Sequence, residues 1–244
     1  MKKSLKIWLI AWASILVVWW ARAWLTKAGI IPNWLWVEVL CPEEEHPEFV
    51  DFRWCSGDIC LNKPIIYFYP TSETEVNVEL WTPEKITHSY PEYNSEKWWN
   101  VIAQPNGDLE DIDTWKKLYA LYREWKSDNK TNFDEWFVVA WKDIVPFLEE
   151  KLAILGLNER EAEEFIVYWL PQMEDNEWNL IRFESIEEQN ESMPLNITPT
   201  PDTVIRVMMD WKAINEPIDI PGQKLVTPER NGFSVVEWGW SPRN

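Results

Sequence analysis

The sequence is poor in the residues that much enzyme chemistry and most tight turns require. It holds 7 glycines, 3 cysteines and 2 histidines in 244 residues. Loops of the Gly-x-Gly-x-x-Gly and Walker types are absent, which argues against nucleotide binding. A Ser/His/Asp or Cys/His nucleophile system would have to use His46 or His88, and no Gly-x-Ser-x-Gly turn accompanies them. We therefore predict no cofactor and do not favour an enzyme.

Positive charge is also scarce. The chain carries 41 acidic and 23 basic residues, which gives a formal net charge of −18, and its one basic cluster lies in residues 2–6. Nucleic-acid binding depends on the neutralisation of phosphates by Lys and Arg, so we exclude it as a function. An anionic membrane surface would repel the acidic remainder of the chain as well. We expect membrane contact only through the N-terminal segment.

Long apolar runs are missing too, and the longest one is near the N-terminus. Residues 2–6 include three lysines, an apolar run extends from about Ile7 to Trp20, and Ala21-Arg22-Ala23 supplies a small-x-small pattern. The run is short for a membrane span, which needs about 20 residues. The layout is that of a secretory signal peptide. We predict export to the cell envelope or the extracellular space, with cleavage after Ala23 favoured over an uncleaved anchor within residues 7–25.

The three cysteines lie close together in the chain, at Cys41, Cys55 and Cys60. Outside the cytoplasm this spacing permits a disulfide, either Cys55–Cys60 or Cys41 with one of those two. A zinc site completed by His46 is the weaker alternative, so we predict no metal. We divide the chain into a signal peptide or anchor at 1–23, a linker with a cysteine-tied loop at 24–62, and a single domain at 63–244.

The domain is predicted to be α+β, with a mostly antiparallel sheet. Short runs of alternating or compact apolar residues, bounded by turn residues such as Asn106-Gly107, indicate strands with brief connections. The predicted strands are 64–70, 75–80, 85–91, 99–105, 117–124, 135–141, 180–185, 202–214 and 232–238. The polar stretches between them, including 174–180 and 186–202, are predicted to be surface loops.

A helical hairpin is predicted at about 143–170, packed on the sheet. From Ile144 the apolar residues recur every three or four positions, which is the helical period. Asp143 is placed to cap the first helix and Gly156 to stop it. Asn158 and Glu161 have the spacing of a capping box for a second helix, which we expect to run until Pro171.

Tryptophan is abundant where glycine is scarce. The chain has 20 tryptophans, and several stand among polar residues where the chain should turn, as at Trp115, Trp125 and Trp141. Turns favour glycine because it enters positive φ without steric cost. We hypothesise that many of these codons are UGA, read as glycine in a bacterial lineage and translated here as tryptophan. The alternative is a set of genuine aromatic platforms for stacking ligands.

Several ordered motifs resemble a known family. The strings "CLNKPIIYFYP", "SETEVNVEL", "WNVIAQPNGDL", "FIVYWLPQM" and "RNGFSVVEWGW" resemble uncharacterised, often exported bacterial proteins with a Lys-Pro-x-Ile-Tyr-x-Tyr-Pro opening. The resemblance covers roughly residues 60–240 and implies no known activity. It implies that the positions of Trp98, Trp125, Trp136 and Trp240 are usually glycine. It implies equally that Trp99, Trp169 and Trp238 are genuine.

Two carboxylates are candidate catalytic groups. Glu124 and Glu237 each stand at a predicted strand end beside a suspected glycine, where the backbone would open onto a cleft, and glycosidases use such carboxylate pairs. The alternative interpretation is that they are solvated, or that they pair with Arg123 or Arg206. Carboxylates are too abundant in this chain for their residue type alone to select a pair.

Candidate binding residues are Tyr168, Trp169, Arg206 and Trp238. Tyr168 and Trp169 would border a pocket, although aromatic residues at helical spacing more often pack in a core. Tyr67 and Tyr69, in the opening motif, allow the same two interpretations. We predict an exported cell-envelope protein that acts as a binding or interaction module for an unknown envelope or extracellular ligand. The alternative is a carboxylate-dependent hydrolase acting on envelope polysaccharide or peptide.

Overall fold

The computed structural model describes residues 59–81, 83–127 and 134–242. The predicted signal or anchor, Cys41, His46 and Cys55 lie outside the described residues, and so does the side chain of Cys60. Export, the disulfide and the zinc alternative therefore stay predictions. Within the described ranges no helix is both long and apolar enough to cross a bilayer. Strand β1 begins at Ile59, inside the segment predicted as linker.

The described residues form twelve strands and three α-helices. The strands are β1 (Ile59–Tyr69), β2 (Thr74–Leu80), β3 (Ile86–Tyr90), β4 (Trp99–Ala103), β5 (Leu109–Asp111), β6 (Lys117–Leu118), β7 (Leu121–Ser127), β8 (Phe137–Ala140), β9 (Trp178–Phe183), β10 (Leu195–Thr198), β11 (Thr203–Ile214) and β12 (Ser234–Pro242). The helices are α1 (Ile144–Ile154), α2 (Glu159–Met173) and α3 (Ile186–Ser192). Short 3₁₀ turns, Pro83–Lys85 and Trp141–Asp143, precede β3 and α1.

The strands form two sheets. The large sheet has the order β3-β7-β1-β12-β11-β9-β8, and the small sheet has the order β10-β2-β4-β5-β6. Strands β11 and β12 run parallel, whereas the other described strand pairs are antiparallel. The prediction of an α+β protein with mostly antiparallel strand pairing is therefore confirmed, but the strands form two sheets where one was predicted.

The two faces of the large sheet contribute to different apolar cores. Ile66 and Phe68 belong to a cluster that also contains Val78 and Val101 of the small sheet. Their neighbours on the opposite face of β1, Ile65 and Tyr67, belong to a second cluster. That cluster also contains buried residues of both long helices, which are Ile144, Leu148, Leu152, Phe165, Trp169 and Met173. Since successive residues of a strand point to opposite faces, both faces of the large sheet are covered.

The helix ends agree in most respects with the signals in the sequence. Asn158 Oδ1 accepts the backbone N–H of Glu161 at 2.9 Å, and Glu161 Oε2 accepts the backbone N–H of Asn158 at 2.8 Å, so the capping box is confirmed. Gly156 follows α1 with a φ of +90°. Asp143 occupies the N-cap position but its side chain makes no capping hydrogen bond. Helix α2 continues past Pro171 to Met173, so its predicted end was wrong by a few residues.

The predicted loop at 186–202 was wrong. Residues 186–192 form α3, and residues 195–198 form β10, which pairs with β2. Helix α3 starts with a second capping box, in which Ser185 accepts the N–H of Glu188 and Glu188 accepts the N–H of Ser185. The predicted strand 117–124 is divided between β6 and β7, which belong to different sheets.

The suspected glycine positions fall into two groups. Trp98 and Trp115 have φ angles of +62° and +59°, and their side chains are 40% and 69% exposed. This left-handed region is unfavourable for a residue with a large side chain. Trp125, by contrast, lies in β7 with a fully buried ring, and Trp141 lies in a 3₁₀ turn. The backbone at residues 98 and 115 is thus of the kind that favours glycine, whereas that of residue 125 is ordinary strand, and the codon hypothesis stays a prediction.

Candidate functional site

The opening motif contains a backbone irregularity at Lys63. The pairing of β1 with β12 shifts register between Asn62 and Ile65, and its pairing with β7 shifts between Leu61 and Ile65. Lys63 has a φ of +52° although it has a side chain and precedes a proline, two features that favour extended backbone. A β-bulge of this kind re-aims a side chain within an otherwise regular strand.

The bulge places the Lys63 amine against two aromatic rings. Its Nζ lies 3.5 Å from the ring centroid of Tyr168 on α2 and 5.7 Å from that of Trp238 on β12. Both contacts are cation–π interactions, which favour the charged amine. Burial has the larger effect and lowers the pKa of Lys63, while the charge of Glu164 partly opposes that change. The amine is therefore partly buried beside two aromatic rings and within the influence of an acidic group.

The two tyrosines of the motif extend this arrangement along β1. The Tyr67 hydroxyl donates to Glu164 Oε2 at 2.6 Å, and burial together with this bond raises the pKa of Tyr67. Tyr69 stacks on Tyr67 with ring centroids 6.4 Å apart. Tyr119 tilts against Tyr67 at the same separation and is 50% exposed.

Charged pairs from α2 border the tyrosines. Arg160 Nε donates to Glu164 Oε1 at 3.1 Å, and its guanidinium carbon lies 5.7 Å from the Tyr119 ring centroid. Arg230 contacts the Tyr69 ring and donates to the buried carboxylate of Glu161 at 2.8 Å. The cavity lined by the three tyrosines, Arg160 and Glu161 measures about 10 Å³. A cavity of that size holds about one water molecule, so a ligand would lie on this surface and not inside it.

Glu124 lies on the same side of the large sheet. Its Oε2 is 3.0 Å from Nδ1 of His88 on the neighbouring strand β3. Burial raises the pKa of Tyr122, and the carboxylate of Glu124 raises it further. Burial also raises the pKa of Tyr168, and the charge of Glu124 raises it further. We use the term motif surface for the region formed by Lys63, Tyr67, Tyr119, Glu124, Glu164 and Tyr168.

Glu237 does not belong to the motif surface, which corrects the predicted carboxylate pair. Its register partner in β1 is Ile66, whose own partner in β7 is Leu121, so Glu237 faces the same way as Leu121 and Arg123. Glu124 alternates with Arg123 and therefore faces the other way. Both glutamates also lie within their strands and not at strand ends. The pair cannot act together on one bound substrate.

Glu237 instead joins two arginines in the interior. Arg123 donates to its Oε1 at 2.7 Å, and Arg206 donates to its Oε2 at 2.7 Å. The side chains of Glu237 and Arg123 are fully buried. Burial alone would raise the pKa of Glu237, but the two guanidinium charges hold it below its usual value. The alternative interpretation from the sequence, pairing with Arg123 or Arg206, is therefore correct for Glu237.

The four predicted binding residues are also separated. Tyr168 is 43% exposed and lies on the motif surface, whereas Trp169 and Trp238 are buried beneath it. Arg206 is buried on the opposite face of the sheet with Glu237. Sequence reasoning did not select Lys63, Tyr119 or Glu164. The motif containing Lys63 was recognised, but the bulge that turns its amine toward α2 has no signal in residue type.

Two further features bear on what the described residues could bind. A groove of about 340 Å³ lies beside the edge strand β8, lined by Phe137, Phe147, Trp178 and their neighbours. Asp143 and Lys151 add two charged groups to this otherwise apolar lining. Within the described ranges no group of three His, Cys, Asp or Glu side chains is arranged to hold a metal ion.

Comparison with known proteins gives one partial similarity. No family model and no solved structure matches the chain. A stretch of 67 residues is 40% identical to a Butyrivibrio fibrisolvens protein described as "Uncharacterized protein in bglA 3'region". The match covers 27% of this chain and 66% of that protein, slightly less than two thirds of its length. The chain is thus similar to a bacterial protein over a limited region.

Proposed function

We propose that the protein is an exported cell-envelope module that binds an envelope or extracellular ligand at the motif surface. The observation that carries this proposal is the position of the opening motif. Lys63 and Tyr67 meet Glu164 and Tyr168 of α2 on one partly exposed surface. Polar groups that contribute only to folding would not need to converge there with half-exposed tyrosines.

The chemistry of this surface suits recognition. Tyr119 and Tyr168 are about half exposed, and tyrosine supplies contact area at a low cost in conformational entropy. Carboxylates and guanidinium groups beside the rings are already held by partners, so they are oriented before a ligand arrives. The surface therefore combines stacking faces with fixed hydrogen-bonding groups.

A hydrolase is the less favoured candidate. Its predicted carboxylate pair is divided between the two faces of the large sheet, and Glu237 is buried with both oxygens occupied. Glu124 remains on the motif surface, but the cavity beside Tyr67 has room for about one water molecule. These features favour binding over cleavage of a bound chain.

The architecture that supports the surface is part of the proposal. We infer that α1 and α2 form a hairpin that lies on the large sheet within one domain from about residue 63. The shared apolar cluster of Leu148, Phe165 and Trp238 supports this arrangement. We also infer membership of the family with the Lys-Pro-x-Ile-Tyr-x-Tyr-Pro opening, on the motifs in the sequence.

Peptide mass spectrometry of the native protein tests both export and the meaning of the tryptophan codons. We expect a mature N-terminus at Trp24 and glycine at positions 98 and 115, where the φ angles are positive. Position 99 serves as the internal control, because the buried Trp99 should be tryptophan. A mature chain that retains Met1 would overturn cleavage, and tryptophan at both 98 and 115 would overturn the codon hypothesis.

Co-sedimentation with purified cell-wall sacculi tests the binding function. We expect the protein to pellet with the sacculi, and we expect Tyr119→Ala and Tyr168→Ala each to weaken the apparent affinity about tenfold, or about 1.4 kcal/mol. Trp81→Ala is the matched control, because Trp81 is an exposed aromatic residue that follows β2 of the small sheet. A protein that stays in the supernatant, or a control as weak as the tyrosine variants, would contradict the proposal.

A further inference from the structure

Three independent features of the fold converge on Lys63. The first is the bulge and its left-handed φ of +52° before Pro64. The second is the enclosure of Nζ by the rings of Tyr168 and Trp238. The third is the neighbouring carboxylate of Glu164, which the Tyr67 hydroxyl holds in place. Both rings would also remain if other tryptophan codons encode glycine, because the family resemblance implies that Trp238 is a genuine tryptophan.

Stability alone does not account for this arrangement. A left-handed residue before proline opposes folding, and so does the removal of an amine from water. The cation–π contacts offset only part of that cost. A lysine in a regular strand could reach solvent without either cost. Strained residues that the surrounding structure holds in place occur preferentially at functional sites.

We propose that Lys63 is a nucleophilic amine that captures the aldehyde or ketone carbonyl of a ligand bound at the motif surface. Partial burial makes such an amine less basic and more often neutral, which is how lysines that form imines are activated. The lowered pKa of Lys63 agrees with that role. This inference rests on the proposed binding function, because it names a chemical group of the ligand.

The reaction needs no oxidant and no additional reactant. The lone pair of neutral Nζ attacks the carbonyl carbon, a C–N bond forms, and the C=O π bond breaks as its oxygen takes up a proton. The nitrogen, positively charged after the attack, gives up one proton to balance this uptake, so a neutral carbinolamine forms. Its hydroxyl then leaves as hydroxide and combines with the remaining nitrogen-bound proton to form water, which leaves a C=N bond. Glu164, whose charge acts on the amine and which Tyr67 and Arg160 hold in place, can exchange these protons with it through a water molecule. Addition of water reverses the sequence and releases the ligand.

Reductive trapping of the folded protein tests the proposal. Glycolaldehyde with sodium cyanoborohydride converts each imine to a stable secondary amine, and peptide mapping then gives the rate at each lysine. We expect Lys63 to be labelled several-fold faster than the exposed Lys142 and Lys224. The preference should vanish after unfolding, because it depends on the enclosure of the amine. Equal rates at the three lysines in the folded protein would overturn the proposal.

Variants at Tyr168 test whether the aromatic ring causes the faster labelling of Lys63. Tyr168→Phe keeps the ring over Nζ and should keep the labelling of Lys63 faster than that of Lys142, and Trp81→Ala, on the small sheet, is the control that should leave the Lys63 rate unchanged. Tyr168→Ala exposes the amine and should reduce its rate to that of Lys142. An unchanged rate in Tyr168→Ala would overturn the role of the aromatic enclosure and the proposal with it. Lys63→Arg, which keeps a cation at this position, should lose the label on the corresponding peptide.

The two proposals fail in different ways. If Lys63 shows no preference while Tyr119→Ala still weakens sedimentation with sacculi, the covalent step is wrong and the binding function stands. If Lys63 is labelled preferentially while the protein does not sediment, the proposed binding function is contradicted and the reactive amine stands.

Discussion

At the scale of single residues, two adjacent tryptophans have opposite environments. Trp98 has a left-handed backbone and is partly exposed, whereas Trp99 is buried in β4 and its indole N–H donates to the carbonyl of Pro91 at 2.9 Å. One position therefore suits glycine and the next suits a large aromatic ring. The codon hypothesis can therefore be tested by placing glycine at each of the two positions in turn.

Glycine at 98 and glycine at 99 should change stability in opposite directions. We expect Trp98→Gly to raise the free energy of unfolding by about 1 kcal/mol, because it relieves a left-handed conformation. Trp99→Gly should lower it by at least about 3 kcal/mol, because it removes a core ring and leaves a cavity. Chemical denaturation of the two variants measures both values. A loss of stability in Trp98→Gly as large as that in Trp99→Gly would contradict the expectation.

Residue type alone could not place the candidate site. Tyr168 is partly exposed, as a binding residue must be, and its position in α2 follows from the helical period. Glu237, by contrast, was assigned to a cleft and lies in the interior. The large sheet is covered on both faces, so its strands lack the alternation that separates a buried side from an exposed one. Without that alternation, the opposite orientations of Glu124 and Glu237 have no signal in the sequence.

At the scale of elements, a helix was predicted from the sequence only where its own residues carried a capping, stop or periodicity signal. The helix stop at Gly156 and the capping box at Asn158 were predicted because backbone geometry there requires those residue types. Helix α3 was missed although Ser185 and Glu188 have capping-box spacing, because seven mostly polar residues show no sustained helical period.

The topology of β11 and β12 could not have been predicted from local patterns. The two strands are parallel neighbours joined by residues 215–233, which form neither strand nor helix. Parallel strands need a long crossover, and most such crossovers contain a helix that would have indicated the pairing. Here the connection is held instead by contacts such as the two hydrogen bonds between Gln223 and the backbone of Phe183. Contacts of this kind appear only after the chain has folded.

At the scale of the whole molecule, a buried ionic triad lies on the face of the large sheet opposite the motif surface. Arg123, Glu237 and Arg206 belong to β7, β12 and β11, and Arg206 also donates to Asn190 of α3 and to the carbonyl of Met193. The triad consists of two guanidinium groups and one carboxylate, so it carries a net charge of +1 in the interior. The triad thereby couples three strands of the large sheet with α3.

The triad should make the fold sensitive to acid. The folded pKa of Glu237 is depressed, so its contribution to stability is complete above its unfolded pKa of about 4.3 and is lost as the pH falls through the folded value. Glu188, whose pKa is also lowered beside Arg182, acts in the same direction. We expect the free energy of unfolding to be level near neutral pH and to fall steeply below about pH 4.

Replacement of the triad separates its charge from its packing. Glu237→Gln should lower the free energy of unfolding at neutral pH by about 3–5 kcal/mol, because it leaves two buried guanidinium groups without a counter-charge. Arg123→Met, Glu237→Leu and Arg206→Met together should recover most of that loss, since well-packed apolar side chains often replace a buried ion pair without cost. The triple variant should also show a shallower acid transition, with the remaining slope due to groups such as Glu188. Urea denaturation at a series of acid pH values measures the free energy of unfolding of the parent protein and of both variants. If its dependence on pH is unchanged in the triple variant, the acid sensitivity arises elsewhere in the molecule.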